Sequence, residues 1–124
     1  MATTLLSGAE SKSFKDSSDT RDFPKGRLDV VTVGGKTIGR AVFEPGWKWS
    51  ESIKPIAKTT SCEASHLGYV ISGRMTVVMD NGTTMHLGPG DAFAIPPGHD
   101  AWIDGNEACD LVDFVGFENY AKPG

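Results

Sequence analysis

The sequence predicts an all-β fold, a small barrel built from two antiparallel sheets, and three observations carry that expectation. The first is the stretch Gly90-Asp91-Ala92-Phe93-Ala94-Ile95-Pro96-Pro97-Gly98-His99, which leads from the end of a Gly88-Pro89-Gly90 turn through a short apolar strand and a second turn to an imidazole. Ala92 to Ile95 is too short for a helix, and two prolines do not continue a central strand, so His99 is held at a rim. The second is composition: 15 Gly and 7 Pro in 124 residues supply many tight turns. The third is Asn81-Gly82 between two apolar runs, a pair suited to the positive φ angles of a hairpin.

Along the chain, residues 1–27 are polar with scattered apolar residues and no sustained period, and read as an N-terminal arm from which Phe14 and Phe23, with Leu28 beyond it, can dock. The barrel domain is expected over 28–117 and a short tail over 118–124. Within the domain, Leu28 to Val33 and Thr37 to Phe43 form strands about a Gly34-Gly35 turn, and Glu44-Pro45-Gly46 ends the pair. His66 to Ser72 follows, rich in β-branched and aromatic residues, and closes on Gly73. Met75 to Met79 and Thr83 to Leu87 are the arms of the Asn81-Gly82 hairpin. Ala92 to Ile95, Ala101 to Ile103 and Ala108 to Val115 complete the sheets.

The two segments about His66 and His99 together resemble the cupin family. The second cupin motif has the form G-x5-P-x-G-x2-H, and Gly90, Pro96 and Gly98 stand at its three fixed non-His positions. The first motif ends in E-x6-G, with His66 in place of the Glu and Gly73 as the Gly. Sixteen residues separate Gly73 from Gly90, close to the spacing in small bacterial members, and the likeness spans about Val30 to Phe114. The resemblance implies a cupin-like jelly-roll β-barrel. It also implies metal ligands at four positions, occupied here by Thr60, Cys62, His66 and Ala101. Thirteen residues separate Gly46 from Thr60, where the family motif has five before its first His.

Strand alternation puts Cys62, Ala64, His66, Gly68 and Val70 on one face and Leu67, Tyr69 and Ile71 on the other. A thiol and an imidazole among small side chains suit a cavity better than a filled core. Cys62, His66 and His99 are therefore the expected ligands of a divalent metal, Zn²⁺ or iron, with a fourth position open. The other reading keeps the two histidines as hydrogen-bonded residues of a metal-free pocket and Cys62 as a small buried hydrophobe. In the long segment after Gly46, Trp47 and Trp49 either plug the barrel end or wall a small-molecule pocket with Thr60 and Ala101. Glu51 shares their parity and is a candidate fourth ligand or general base, the alternative being a solvated loop residue. Asp100 is a candidate to orient His99 or, equally, to cap the turn, and either Asp110 or Asp113 can reach inward; parity does not choose between them. A Cys62–His66 nucleophilic dyad is disfavoured, because side chains four apart on a strand are about 13 Å apart.

A net charge of −4 without a basic run excludes an electrostatic footprint for nucleic acid, and no apolar run approaches the length of a membrane span. Met1 to Glu10 has no signal-peptide pattern, and Cys62 and Cys109 lack C-x2-C spacing. The expectation is a cytoplasmic protein with reduced thiols, acting on or binding a small molecule. An apolar face at Leu67, Tyr69 and Ile71 suggests a homodimer. The family resemblance implies dioxygenase, isomerase or epimerase-like chemistry, or a metal-free sensory module with a degenerate site.

Overall fold

The computed structural model describes residues 8–122; residues 1–7 and 123–124, the ends of the expected arm and tail, lie outside the described residues. Nine strands form two antiparallel sheets. The larger contains β1 (Asp19–Phe23), β2 (Gly26–Val33), β3 (Lys36–Phe43), β4 (His66–Ser72), β7 (Ala92–Ile95) and β9 (Cys109–Asp113), in the order β1-β2-β3-β9-β4-β7. The smaller contains β5 (Met75–Met79), β6 (Thr84–Leu87) and β8 (His99–Ile103), in the order β6-β5-β8. All pairings are antiparallel, and the insertion of β9 between β3 and β4 joins distant parts of the chain in the crossed order of a jelly roll.

The turns follow the expected chemistry. Gly34 and Gly35 both take positive φ in the β2–β3 hairpin, and Gly82 does so after β5. Alternation is clear on β4, where His66, Gly68 and Val70 are buried while Leu67, Tyr69 and Ile71 face outward. The inward residues of both sheets form one core around Leu28, Val70, Val77, Cys109 and Leu111.

Two segments differ from expectation. The region expected as an arm supplies β1, paired along its length with β2, and Phe23 joins the core. The segment after Gly46 is not extended: it forms two single-turn helices, α1 (Trp49–Ser52) and α2 (Lys54–Ala57), the latter with Pro55 in its first turn. A helical turn rotates successive side chains by about 100°, so the alternation that grouped Glu51 with the tryptophans does not apply. Trp47 and Trp49 are buried; Glu51 points to solvent.

Candidate functional site

The inner face of the large sheet is opened by small residues at one end. Asp113 on β9 pairs with Gly39 of β3 on one side and Gly68 of β4 on the other. A Cβ at Gly39 would overlap the Phe117 ring, and one at Gly68 would overlap the Val112 carbonyl. The room at Gly39 seats Phe117 of the chain that folds back after β9, and in that returning chain a Cβ at Gly116 would overlap His66 Nδ1 at the start of β4.

Cys62 reaches the same place by a different route from that expected. β4 starts only at His66, and residues 63–65 are irregular. Cys62 instead forms an isolated bridge to His99, accepting at its carbonyl from the Gly98 amide at 2.7 Å and donating its own amide to the His99 carbonyl at 2.8 Å. The break in the strand cancels the 13 Å separation: Cys62 Sγ lies 3.7 Å from His66 Nε2. One donor atom from each of Cys62, His66 and His99 lies within 4.8 Å of the others, and all three residues are buried.

Both rings are oriented by what their other nitrogen holds. His66 Nδ1 donates to Asp113 Oδ2 at 2.5 Å. Asp113 is 1% exposed, and its Oδ1 accepts from the amides of Val115 at 2.9 Å and Gly116 at 2.8 Å. His99 Nδ1 donates to the Pro96 carbonyl at 2.9 Å. Carboxylate and carbonyl acceptors of this kind fix the tautomer that leaves Nε2 free to ligate. Asp113 is thus the member that sequence parity left undecided; its outward counterpart, Asp110, pairs with Arg40 at 2.6 Å.

Burial sets the protonation states. It lowers the His99 pKa from its usual 6.5, the Pro96 hydrogen bond opposing this and the neighbouring His66 adding to it. Burial also pushes the Cys62 thiol up to about 11. The apo cluster therefore presents a neutral imidazole at His99 and a protonated thiol at neutral pH. A divalent ion must displace that proton, as thiolate ligation requires.

The donors fit a metal by geometry and by chemistry. In a tetrahedral zinc site with bonds of about 2.0–2.3 Å, neighbouring ligand atoms are about 3.5 Å apart, close to the Sγ–Nε2 separation found here. One sulfur and two imidazole nitrogens form a borderline-soft set suited to Zn²⁺ or iron.

The surroundings divide into two spaces. An inner chamber of about 30 Å³ is lined by His66, His99, Trp47, Trp49, Ala101 and aromatic and aliphatic core residues. It has room for one or two water molecules. Outside it lies a groove of about 420 Å³, lined by Cys62, Trp49, Tyr120 and the neighbouring loops. Of the expected pocket residues, Trp47, Trp49 and Ala101 border the chamber, whereas Thr60 is exposed and borders neither space. Glu51 lines a separate surface hollow with Lys48 and Trp102, outside the barrel, which removes it from the donor cluster. Asp100 does not orient His99; its Oδ1 accepts from the Ser50 and Ala101 amides and tethers α1 to β8. His86 is exposed and hydrogen-bonds Thr76 at 3.0 Å.

The segment after β9, residues 114–122, straps the barrel end. Phe117 and Tyr120 pack edge-on against His66 at centroid distances of 5.7 and 5.8 Å. Arg21 of β1 fastens the strap: Nη1 donates to the carbonyls of Phe117 and Tyr120 at 2.9 and 2.7 Å, and Nη2 to that of Glu118 at 2.9 Å. The same guanidinium forks onto Asp19, with Nη2–Oδ2 at 2.8 Å.

Comparison with known proteins agrees with this architecture. The family model described as "Cupin domain" matches residues 56–115. Among solved structures, the polyketide cyclase RemF from Streptomyces resistomycificus is similar with a TM-score of 0.61 and 18% identity, over 90% of this chain and 81% of that one. An RmlC-like cupin from Shewanella frigidimarina gives a TM-score of 0.58 and 19% identity over 90% and 96% of the two chains. KdgF from Halomonas sp. gives 0.57 and 22% over 82% and 90%. No curated protein matches the chain by sequence.

Proposed function

We propose, from the match of residues 56–115 to the cupin family model and the fold shared with cupin structures, that this chain is a small metal-dependent cupin that binds a divalent ion, zinc or iron, at Cys62, His66 and His99 and acts on a small molecule there. The observation that carries the reading is the convergence of three donor atoms within 4.8 Å inside a buried aromatic shell. A bound divalent ion supplies Lewis acidity at the coordination position that three protein ligands leave open. The chain's own groups do the rest. Asp113 keeps the His66 proton on Nδ1, the Pro96 carbonyl does so for His99, and the Phe117 and Tyr120 rings shield the centre from bulk water. Dioxygenase, isomerase and epimerase chemistry are all compatible with such a centre, because fold alone assigns no reaction.

A metal-free sensory module is the second reading, favoured by Thr60 and Ala101 at two positions where the family resemblance implies metal-binding histidines. Elemental analysis of untagged, zinc-supplemented protein separates the two. One equivalent of metal is expected, falling to background in His66→Ala and in His99→Ala and unchanged in His86→Ala. A ratio near zero in the wild type, or no change in both ligand variants, overturns the metal reading. We further infer a homodimer built on the outward face of β4, where Leu67, Tyr69 and Ile71 are exposed beside Phe114. A cytoplasmic location is supported by two buried, unpaired cysteines; among the described residues no helix is long and apolar enough to cross a membrane.

A further inference from the structure

The donor cluster sits in a wall between two spaces of very different size. His66 and His99 face the inner chamber, Cys62 borders the outer groove, and Trp49 and Tyr120 border both. At about 30 Å³ the chamber is a fraction of the ~150 Å³ cavity that admits benzene, so as it stands it takes water and not an organic ligand. The groove, at about 420 Å³, lies in the range of small-molecule clefts.

A second, independent observation marks this wall. Trp49 is 2% exposed, and its indole Nε1 has no hydrogen-bond partner in the protein. Buried N–H donors are nearly always paired, and leaving one unpaired costs about 1–3 kcal/mol. Trp47 Nε1 is likewise unpaired, but of the two tryptophans only Trp49 borders the groove, which Cys62 also lines.

We propose that the groove between α1–α2 and the 114–122 strap is the ligand site of this centre, and that its ligand is a neutral, largely apolar molecule carrying a hydroxyl or carbonyl oxygen. The proposal rests on the metal reading given above and adds where the ligand docks and what it is. Ile53, Ala57, Ala64 and Val115 give the groove an apolar wall, interrupted by the polar Thr59, Ser65 and Asn119. Its charged rim holds Glu63 and Glu118 against Lys122 alone, which disfavours an anion. The centre itself demands no anion either: a divalent cation with the Cys62 thiolate and the buried Asp113 carboxylate sums to zero charge, so a neutral oxygen keeps the buried site balanced. The ligand's apolar body lies along α2, and its oxygen faces Cys62 and the Trp49 indole.

The test uses 2-naphthol and its anionic counterpart 2-naphthoate as probes, with ¹⁵N-labelled protein in metal-free and zinc-loaded forms. The three indole N–H signals report position: Trp49 borders the groove, Trp47 borders the chamber but not the groove, and Trp102 borders neither. Expected is a saturable shift of Trp49 with 2-naphthol, Trp47 and Trp102 staying put and 2-naphthoate binding at least tenfold more weakly. Ala57→Phe, at an exposed position of α2 on the groove wall, should weaken 2-naphthol at least tenfold, and His86→Ala, on the small sheet and bordering neither space, should leave it unchanged. Joint movement of Trp47 and Trp49 with no effect of Ala57→Phe overturns the groove, as does the absence of any saturable shift. Equal binding of the two probes overturns the neutral class. Zinc stoichiometry is read separately: zinc bound without a Trp49 shift defeats the groove, and a Trp49 shift without bound zinc defeats the metal reading instead.

Discussion

Cys62 illustrates how one side chain couples the site to pH. Its thiol is pushed up to about 11 by burial, so below that value each unit of acidity cuts the thiolate fraction about tenfold. On the proposed metal reading zinc would bind the thiolate, so its apparent affinity should fall about tenfold per unit as the pH is lowered from about 9 to about 7. His99 adds nothing in that window, because burial lowers its pKa from 6.5 and keeps the ring neutral there. Chelator-competition titrations at several pH values check this: Cys62→Ser should bind more weakly and lose the steep slope, and a flat wild-type profile would contradict thiolate ligation. The three donors were legible in the sequence, but the geometry that joins them was only partly so. Gly90 and Gly98 stand out as motif positions because both adopt positive φ, a steric demand that one residue type meets best. Asp113 was not legible over Asp110, since inward parity on β9 depends on its pairing with Gly39 and Gly68 across two distant strands.

Strands, hairpins and their turns follow closely from alternation and glycine placement, as the β2–β3 and β5–β6 pairs illustrate. Elements governed by tertiary contact do not. β1 lacks an apolar run and forms because β2 offers it an edge and Arg21 finds three carbonyls of the strap. The four-residue helices α1 and α2 are too short for a periodic signal and are held by Asp100 and by burial of Trp49 and Ile53. The Arg21 fastening makes the strap the element most sensitive to a single change. Arg21→Lys keeps the charge but loses the planar fork, and should cost about 2 kcal/mol, read by denaturant unfolding. Limited proteolysis should cut within 114–122 sooner than in the wild type; an unchanged cleavage pattern would show that Phe117 and Tyr120 suffice to hold the strap.

The large sheet covers the barrel on one side and exposes an apolar stripe on its back. Leu67 and Tyr69, 51% and 46% exposed, lie across from Ala94, Ala92 and Val112 on the adjoining strands, with Phe114 just beyond β9. Contiguous apolar area of this kind marks association surfaces. The expected particle mass is that of two chains, and Leu67→Lys with Tyr69→Lys should yield a folded monomer by light scattering. A wild-type monomer at high concentration would remove the dimer. The bridge between Cys62 and His99, with Asp113 behind His66, has a further consequence in time. Its members come from either side of the small-sheet hairpin and from the last strand of the barrel, so no early, local contact brings them together. Until the segment carrying His99 has been made and bridged to Cys62, a nascent chain offers a passing ion only the nearby Cys62–His66 pair. On the proposed metal reading, ion capture would then be a clock that starts when these distant segments have met.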